Sequence, residues 1–256
     1  MRANRLRDIW AENKPVVAGW LSIPNAFTAE LMAGMGWDCL VIDGQHGLIG
    51  YAEMLAMLQA IHTTDVVPMV RVSWNQPGEI MRALDAGAYG VICPMINDAA
   101  ECAQFVQACR YPPKGYRSFG PTRAGVVNGP GYYPEANGEI LTFAMIETAD
   151  GLKNVDAIVA TPGLDGVYIG PSDLSLALGG LPMQDSDEPR LMAAFDTILA
   201  ACKAAGVKAG VHTMSPAYAQ QMIGRGFDLV TIMGDVRYLT SGRSDMTEMR
   251  RWMGKP

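Results

Sequence analysis

Eight short apolar runs, each followed by an amphipathic stretch, restrict the fold of this chain more than any other feature. The runs are VVAGWLS (16–22), CLVIDG (39–44), VVPMVRV (66–72), GVICPMI (90–96), LTFAMIE (141–147), GVYIG (166–170), VKAGVHT (207–213) and DLVTIMG (228–234). Their apolar character is continuous, as parallel strands covered on both faces require. Stretches such as YAEMLAMLQAIHT after the second run and SPAYAQQMIGRG after the seventh have helical spacing. Gly87, Gly206 and Gly226 stand where a helix C-cap would precede the next strand. Eight such units in 256 residues predict an α/β fold, one closed (β/α)8 barrel domain over residues 1–256. An open doubly wound sheet would carry a GxGxxG turn after an early strand, and the sequence has none.

Charge and composition exclude several classes of function. A formal net charge of -6 offers no basic excess for phosphates, which argues against a nucleic-acid partner. No apolar run approaches the roughly 18–20 residues that span a bilayer. The opening MRANRLRDIWAENKP lacks the apolar core of an export signal. The five cysteines form no CxxC pair, which fits free thiols in a reducing compartment. These features predict a soluble cytoplasmic protein with no membrane partner. Two connections, residues 110–140 and 174–190, are long enough to be read as lids or subunit contacts.

In such barrels the chemistry gathers at the C-terminal ends of the strands. Those ends carry Asp43, Gln45 and His46 after the second run, Arg71 in the third and Glu147 at the fifth. Ser172 and Asp173 follow the sixth, and His212 lies in the seventh. Glu147 and Asp173 come from adjacent strands, and two carboxylates suit a hard divalent cation such as Mg²⁺ or Mn²⁺. Alternatively, each acid caps the helix that follows it. In the GPSD turn the backbone N–H groups of Ser172 and Asp173 are left for a carboxylate or phosphate. Arg71 supplies a positive charge to a developing oxyanion, or else pairs with a neighbouring barrel carboxylate. His46 is the candidate for proton transfer near neutral pH. His62 lies near a helix end on the opposite side, and His212 is read as pocket lining.

Taken together, VIDGQHG, PMVRVSWN, ALDAGAYGVICPM, RYPPKGYRS, MIET and LDGVYIGPSDLS resemble the HpcH/HpaI aldolase family of class II pyruvate aldolases. The likeness runs from about Val17 to the eighth strand. It implies that Glu147 and Asp173 hold a divalent metal ion, Mg²⁺, Mn²⁺ or Co²⁺. It implies that the Ser172 and Asp173 amides take the substrate carboxylate and that Arg71 stabilises the enolate and aldolate oxygens. His46 is then the proton acceptor, and Asp85 in ALDAGA the acid that raises its basicity. A homohexamer, a trimer of dimers exchanging their last helix, is also implied. Asp85 ends the helix after the third strand, at the bottom of its own barrel, so it is expected to reach His46 of a neighbouring subunit. Asp43 is the local partner otherwise. Three positions depart from the family pattern: Gln45 where Glu is common, Met145 where Gln is common, and His212 in place of an apolar residue. These departures bear on substrate choice.

The activity implied is reversible aldol cleavage of a 4-hydroxy-2-oxo acid to pyruvate, or hydroxypyruvate, plus an aldehyde. An oxaloacetate decarboxylase or a CoA-ester lyase would share the metal–enolate site. The lyase also needs a basic groove, for which Arg110, Lys114, Arg117 and Arg123 are the candidates. A catalytically silent oxo-acid-binding protein is the alternative from another class. A Schiff-base aldolase is disfavoured, because Lys208 begins the seventh run and no strand end carries a lysine.

Overall fold

Each of the eight apolar runs forms a strand in the computed structural model, which describes residues 1–255. The strands are β1 Val16–Leu21, β2 Cys39–Asp43, β3 Val67–Arg71, β4 Gly90–Cys93, β5 Leu141–Ile146, β6 Gly166–Ile169, β7 Lys208–His212 and β8 Leu229–Gly234. They pair in chain order, all parallel, and β1 pairs with β8 to close the (β/α)8 barrel. β4 is three residues shorter than its apolar run. Pro94 has no N–H for the ladder, and Met95 turns into the left-handed region at φ 57°.

The two-residue pleat sorts the strand residues into two cores. Cys39 and Val41 of β2 point into the barrel while Leu40 and Ile42 pack outward against helices, and β5 divides in the same way. The inner core also takes Leu6 and Trp10 from the helix Arg5–Ala11, which plugs the N-terminal end of the barrel. Asn4 caps that helix by accepting from Leu6 N–H, and its amide donates to the carbonyls of Tyr89 and Glu139. The Trp10 indole donates to the Asp228 carbonyl at 3.1 Å.

Three aspartates at this same end set strand register. Asp38, Asp165 and Asp228 each stand one residue before a strand, in WDC, LDG and FDL. Each carboxylate accepts a backbone N–H at the start of the preceding strand: Val17, Thr142 and Ala209, all at 2.9 Å. Asp165 also takes Arg7 at 2.8 Å and Arg110 at 2.9 Å. A one-residue slip would break these bonds and turn the inner core outward.

The connection 110–140 is largely helical, with helices at Thr122–Asn128 and Tyr132–Glu139. It joins the helix Ala99–Ala108 to β5, so it lies at the N-terminal end of the barrel rather than over the mouth, against the lid expectation. Its basic residues are drawn into that end as well. The Arg117 side chain is fully enclosed, donates to Asp85 at 2.6 Å and stacks 4.4 Å from the Tyr111 ring centroid. Arg110 is taken up by Asp165, and Arg123 donates to the Ala86 carbonyl. Carboxylates and a carbonyl at that end claim these guanidinium groups, so within one chain they form no basic groove at the mouth. Among the described residues no helix is long and apolar enough to cross a membrane.

The loads on the register aspartates differ, and so should their mutants. Asp165→Ala leaves the enclosed Arg110 guanidinium without its carboxylate and should destabilise the protein by roughly 3–5 kcal/mol. Asp38→Ala, which loses the Val17 amide and a long contact to exposed Arg5, should cost about 1–2 kcal/mol. Urea unfolding midpoints of the two variants check the order.

Candidate active site

The pleat that builds the inner core also builds the mouth. Continuing the inward file of β2 past Cys39 and Val41 reaches Asp43, and that of β3 past Val67 and Met69 reaches Arg71. In β5 the file Leu141, Phe143, Met145 leads to Glu147, and in β1 it ends at Trp20. Register pairs Asp43 with Arg71 and His212 with Thr231, so the polar ends stand at one level. A cavity of about 300 Å³ opens there.

Asp43 is the hub of the site. Only 2% exposed, it accepts from Arg71 twice, Nε to Oδ1 at 2.9 Å and Nη2 to Oδ2 at 2.6 Å. Trp20 Nε1 donates to Oδ2 at 3.1 Å, and the amides of Gln45 and His46 donate to Oδ1 at 3.0 and 3.1 Å. Burial alone would raise its pKa, but the hydrogen bonds and charge of Arg71 outweigh that and hold the carboxyl below its usual range. Asp43 is therefore not the imidazole partner of His46 that the sequence allowed. Its oxygens are committed to Arg71, Trp20 and the loop backbone, and they position His46 through the main chain. Arg71 forms the ion pair, and it also lines the cavity with Nη1 free of hydrogen-bond partners among the described residues.

Glu147 presents the opposite electrostatics. It is 2% exposed, and its hydrogen bond runs from the Met95 amide to Oε1 at 2.8 Å. The left-handed turn at Met95 aims that N–H. Gly170 lies against Oε2, and any Cβ there would collide with the carboxylate. Burial pushes the Glu147 carboxyl up to about 7, and the charge of Asp173 adds to the rise against the Met95 amide and Arg71. Asp173 is exposed in the first turn of the helix Pro171–Ala177 and lines the same cavity. The amides of Ser172 and Asp173 lie in that turn, where no earlier carbonyl is available to them. A buried carboxylate with little compensation, beside a second carboxylate, fits a divalent cation by charge and by donor type.

The cavity thus brings together His46, Arg71, Glu147, Ser172, Asp173 and His212. His46 is exposed on the loop after β2. Asp85 lies elsewhere: its carboxylate binds Arg117 at the end of the helix Pro77–Asp85, and within one chain it makes no contact with His46 among the described residues. Met145 lines the cavity, but Gln45 does not; its side-chain oxygen is buried without a hydrogen-bond partner among the described residues. Of the three departures from the family pattern, Met145 and His212 thus line the cavity of the single chain and Gln45 does not.

Three cavity residues were missed in the sequence. Trp20 and Tyr168 read as core, although inward parity and a polar group on each, the indole N–H and the phenol hydroxyl, marked both as candidates. Gln184 arrives from the connection 174–190, which does reach the mouth.

The raised Glu147 carboxyl makes metal-free stability depend on pH. The folded protein keeps a proton up to about pH 7, whereas the unfolded chain releases it near the ordinary 4.5. For this group, stability is greatest below pH 4.5 and falls as pH rises through 7, by about 3 kcal/mol in all. Glu147→Gln should flatten that slope when unfolding is followed between pH 5 and pH 8 in the presence of a chelator.

Known proteins resemble this chain over nearly its whole length. The family described as HpcH/HpaI aldolase/citrate lyase matches residues 17–240. The hydroxypyruvate/pyruvate aldolase of Rhizorhabdus wittichii is 40% identical over 93% of this chain and 95% of its own. A 4-hydroxy-2-oxo-heptane-1,7-dioate aldolase of Salmonella dublin is 36% identical over 93% of this chain and 91% of its own. A family member from Burkholderia cenocepacia, known as a crystal structure, superposes with a TM-score of 0.90 at 32% identity. That match covers 97% of this chain and 100% of that one. With the barrel, the polar mouth and these matches in agreement, the chain belongs to the HpcH/HpaI aldolase/citrate lyase family and is an enzyme of the carbon–carbon lyase type.

Proposed function

We propose that this protein reversibly cleaves 4-hydroxy-2-oxo acids to pyruvate or hydroxypyruvate and an aldehyde, with Mg²⁺, Mn²⁺ or Co²⁺ held by Glu147 and Asp173. The observation that carries this is the convergence on one cavity of a charge-deficient carboxylate pair, a free guanidinium edge and two first-turn amides. The cation, when bound, supplies Lewis-acid withdrawal of charge from the 2-oxo acid.

This chain's own residues do the rest. The Ser172 and Asp173 amides hold the substrate carboxylate, aided by the helix N-terminus. Arg71, already oriented by Asp43, directs Nη1 at the oxygen on which negative charge grows, so little reorganisation accompanies the reaction. His46 takes the proton from the C4 hydroxyl during cleavage and returns it during addition. Asp85 supports His46 from a neighbouring subunit of a homohexamer. The helix Arg243–Trp252 fits an exchanged element, having no buried residue and exposing Met246, Met249 and Trp252. The cysteines are free and buried, in keeping with a cytoplasmic enzyme.

The decisive assay uses EDTA-stripped protein with pyruvate or hydroxypyruvate and a panel of aldehydes, with and without each metal. Turnover should appear only with metal, and metal-independent turnover would overturn the proposal. Mn²⁺ should also raise the melting temperature of the wild type at pH 7 and leave that of Glu147→Gln unmoved. Arg71→Lys keeps the charge but loses the fork geometry, and kcat should fall about 10²-fold.

A further inference from the structure

The cavity at the mouth does not end at Arg71. A second cavity of about 440 Å³, lined in part by Ser22, Met214, Gly234 and Thr240, continues from it. The two share Trp20, Gln184 and His212. With the oxo acid held near Glu147, Asp173 and Arg71, the aldehyde half of a longer substrate must pass the His212 ring.

That ring is fixed on two sides. It stands edge-on to Trp20, at 87° with centroids 4.9 Å apart. Its Nδ1 lies 3.1 Å from the Tyr168 hydroxyl, which is also hydrogen-bonded to the Thr231 hydroxyl. Counting protons decides the direction of this chain. Tyr168 and Thr231 each have one hydroxyl proton, and Tyr168 is fully buried. If Tyr168 donated to Thr231, the Thr231 proton would have no acceptor among the described residues. If Thr231 donates to Tyr168, and Tyr168 to His212 Nδ1, both protons are used. Nδ1 is then the acceptor, and the ring proton resides on Nε2. Nε2 has no protein partner among the described residues and is not sealed from solvent, so it opens to the cavities the ring lines. Burial, with Arg71 nearby, lowers the His212 pKa to about 4, which keeps the ring neutral.

We propose that His212, locked as the Nε2–H tautomer by Thr231 and Tyr168, selects the aldehyde half of the substrate by donating to a neutral oxygen next to the reacting carbon. The substrate class is short hydroxyaldehydes in preference to alkyl aldehydes. A hydrocarbon at this place would strip water from the N–H and give it no acceptor, the situation in which a polar site discriminates most strongly. This inference rests on the aldolase reading above.

The test compares glycolaldehyde with propanal as acceptors for pyruvate, since the two differ by a hydroxyl in place of a methyl. The wild type should favour glycolaldehyde in kcat/KM by about tenfold or more. His212→Phe should reduce that ratio about tenfold, and His212→Gln, whose amide can still donate, should retain most of it. A ¹⁵N spectrum of the wild type should show His212 as the Nε2–H tautomer, a readout independent of whether the variants fold. An Nδ1–H tautomer, or a ratio unchanged in His212→Phe, would overturn the role of His212. Exchange of the pyruvate methyl protons with D₂O by the metal-loaded wild type separates the two proposals. No exchange would overturn the aldolase reading, whereas exchange with an unchanged ratio overturns only the selection by His212.

Discussion

The two-residue pleat of a closed parallel barrel governs almost everything at the mouth of this protein. Once Cys39, Val41, Val67, Met69 and Phe143 are committed to the inner core, the next inward residues have no choice of direction. Arg71 and Glu147 must then rise from the apolar core into one small space, with Asp43 paired to Arg71 beside it. Their side chains leave the dry interior at the level where the strands end, and there they can be hydrated or filled by a ligand. The site is the top layer of the core, made polar.

Charges placed at such a level are costly unless paired, and the two halves of the mouth resolve this differently. Around Asp43 every buried donor finds an acceptor, and the result is a rigid fork joining β1, β2 and β3. A buried ion pair of this kind is weak evidence for stability, since apolar residues of similar size often do as well. Its evident consequence is geometric, the fixed aim of Arg71 and of the loop bearing His46. Around Glu147 the compensation is incomplete, and its carboxyl keeps a proton to near neutral pH. One side of the cavity is thus preorganised, and the other keeps a carboxyl whose negative charge its surroundings offset only in part.

The opposite end of the barrel carries many charges and has another role. Asp38, Asp165 and Asp228 tie neighbouring strands together, while Arg7, Arg110 and Arg117 are consumed by carboxylates and carbonyls. That division answers why the basic residues of the segment after Cys109 supply no groove beside the cavity at the mouth. They hold the helical connection to the barrel floor. The same packing leaves Asp85 beside Arg117 in its own chain, with no contact to His46 of that chain among the described residues.

The eight strands, their parallel order and the polar strand ends could be read from the sequence, because continuous apolar runs and helical spacing are local patterns. Glu147, Asp173, Arg71 and His46 were legible for the same reason: each lies at or just beyond the end of such a run. Long-range pairing was not legible. Nothing local says that Asp43 would give its oxygens to Arg71 and Trp20 rather than to the imidazole three residues on. Nor does local pattern show that Gln45 would turn from the cavity while Gln184 turned in. Tyr168 looked like core until the register set it beside His212 and Thr231. The sequence by itself determined which residues could stand at the mouth, since side-chain parity follows from the strand. Tertiary structure alone decided which of them meet, because hydrogen bonds between strands distant in the chain depend on barrel closure and register.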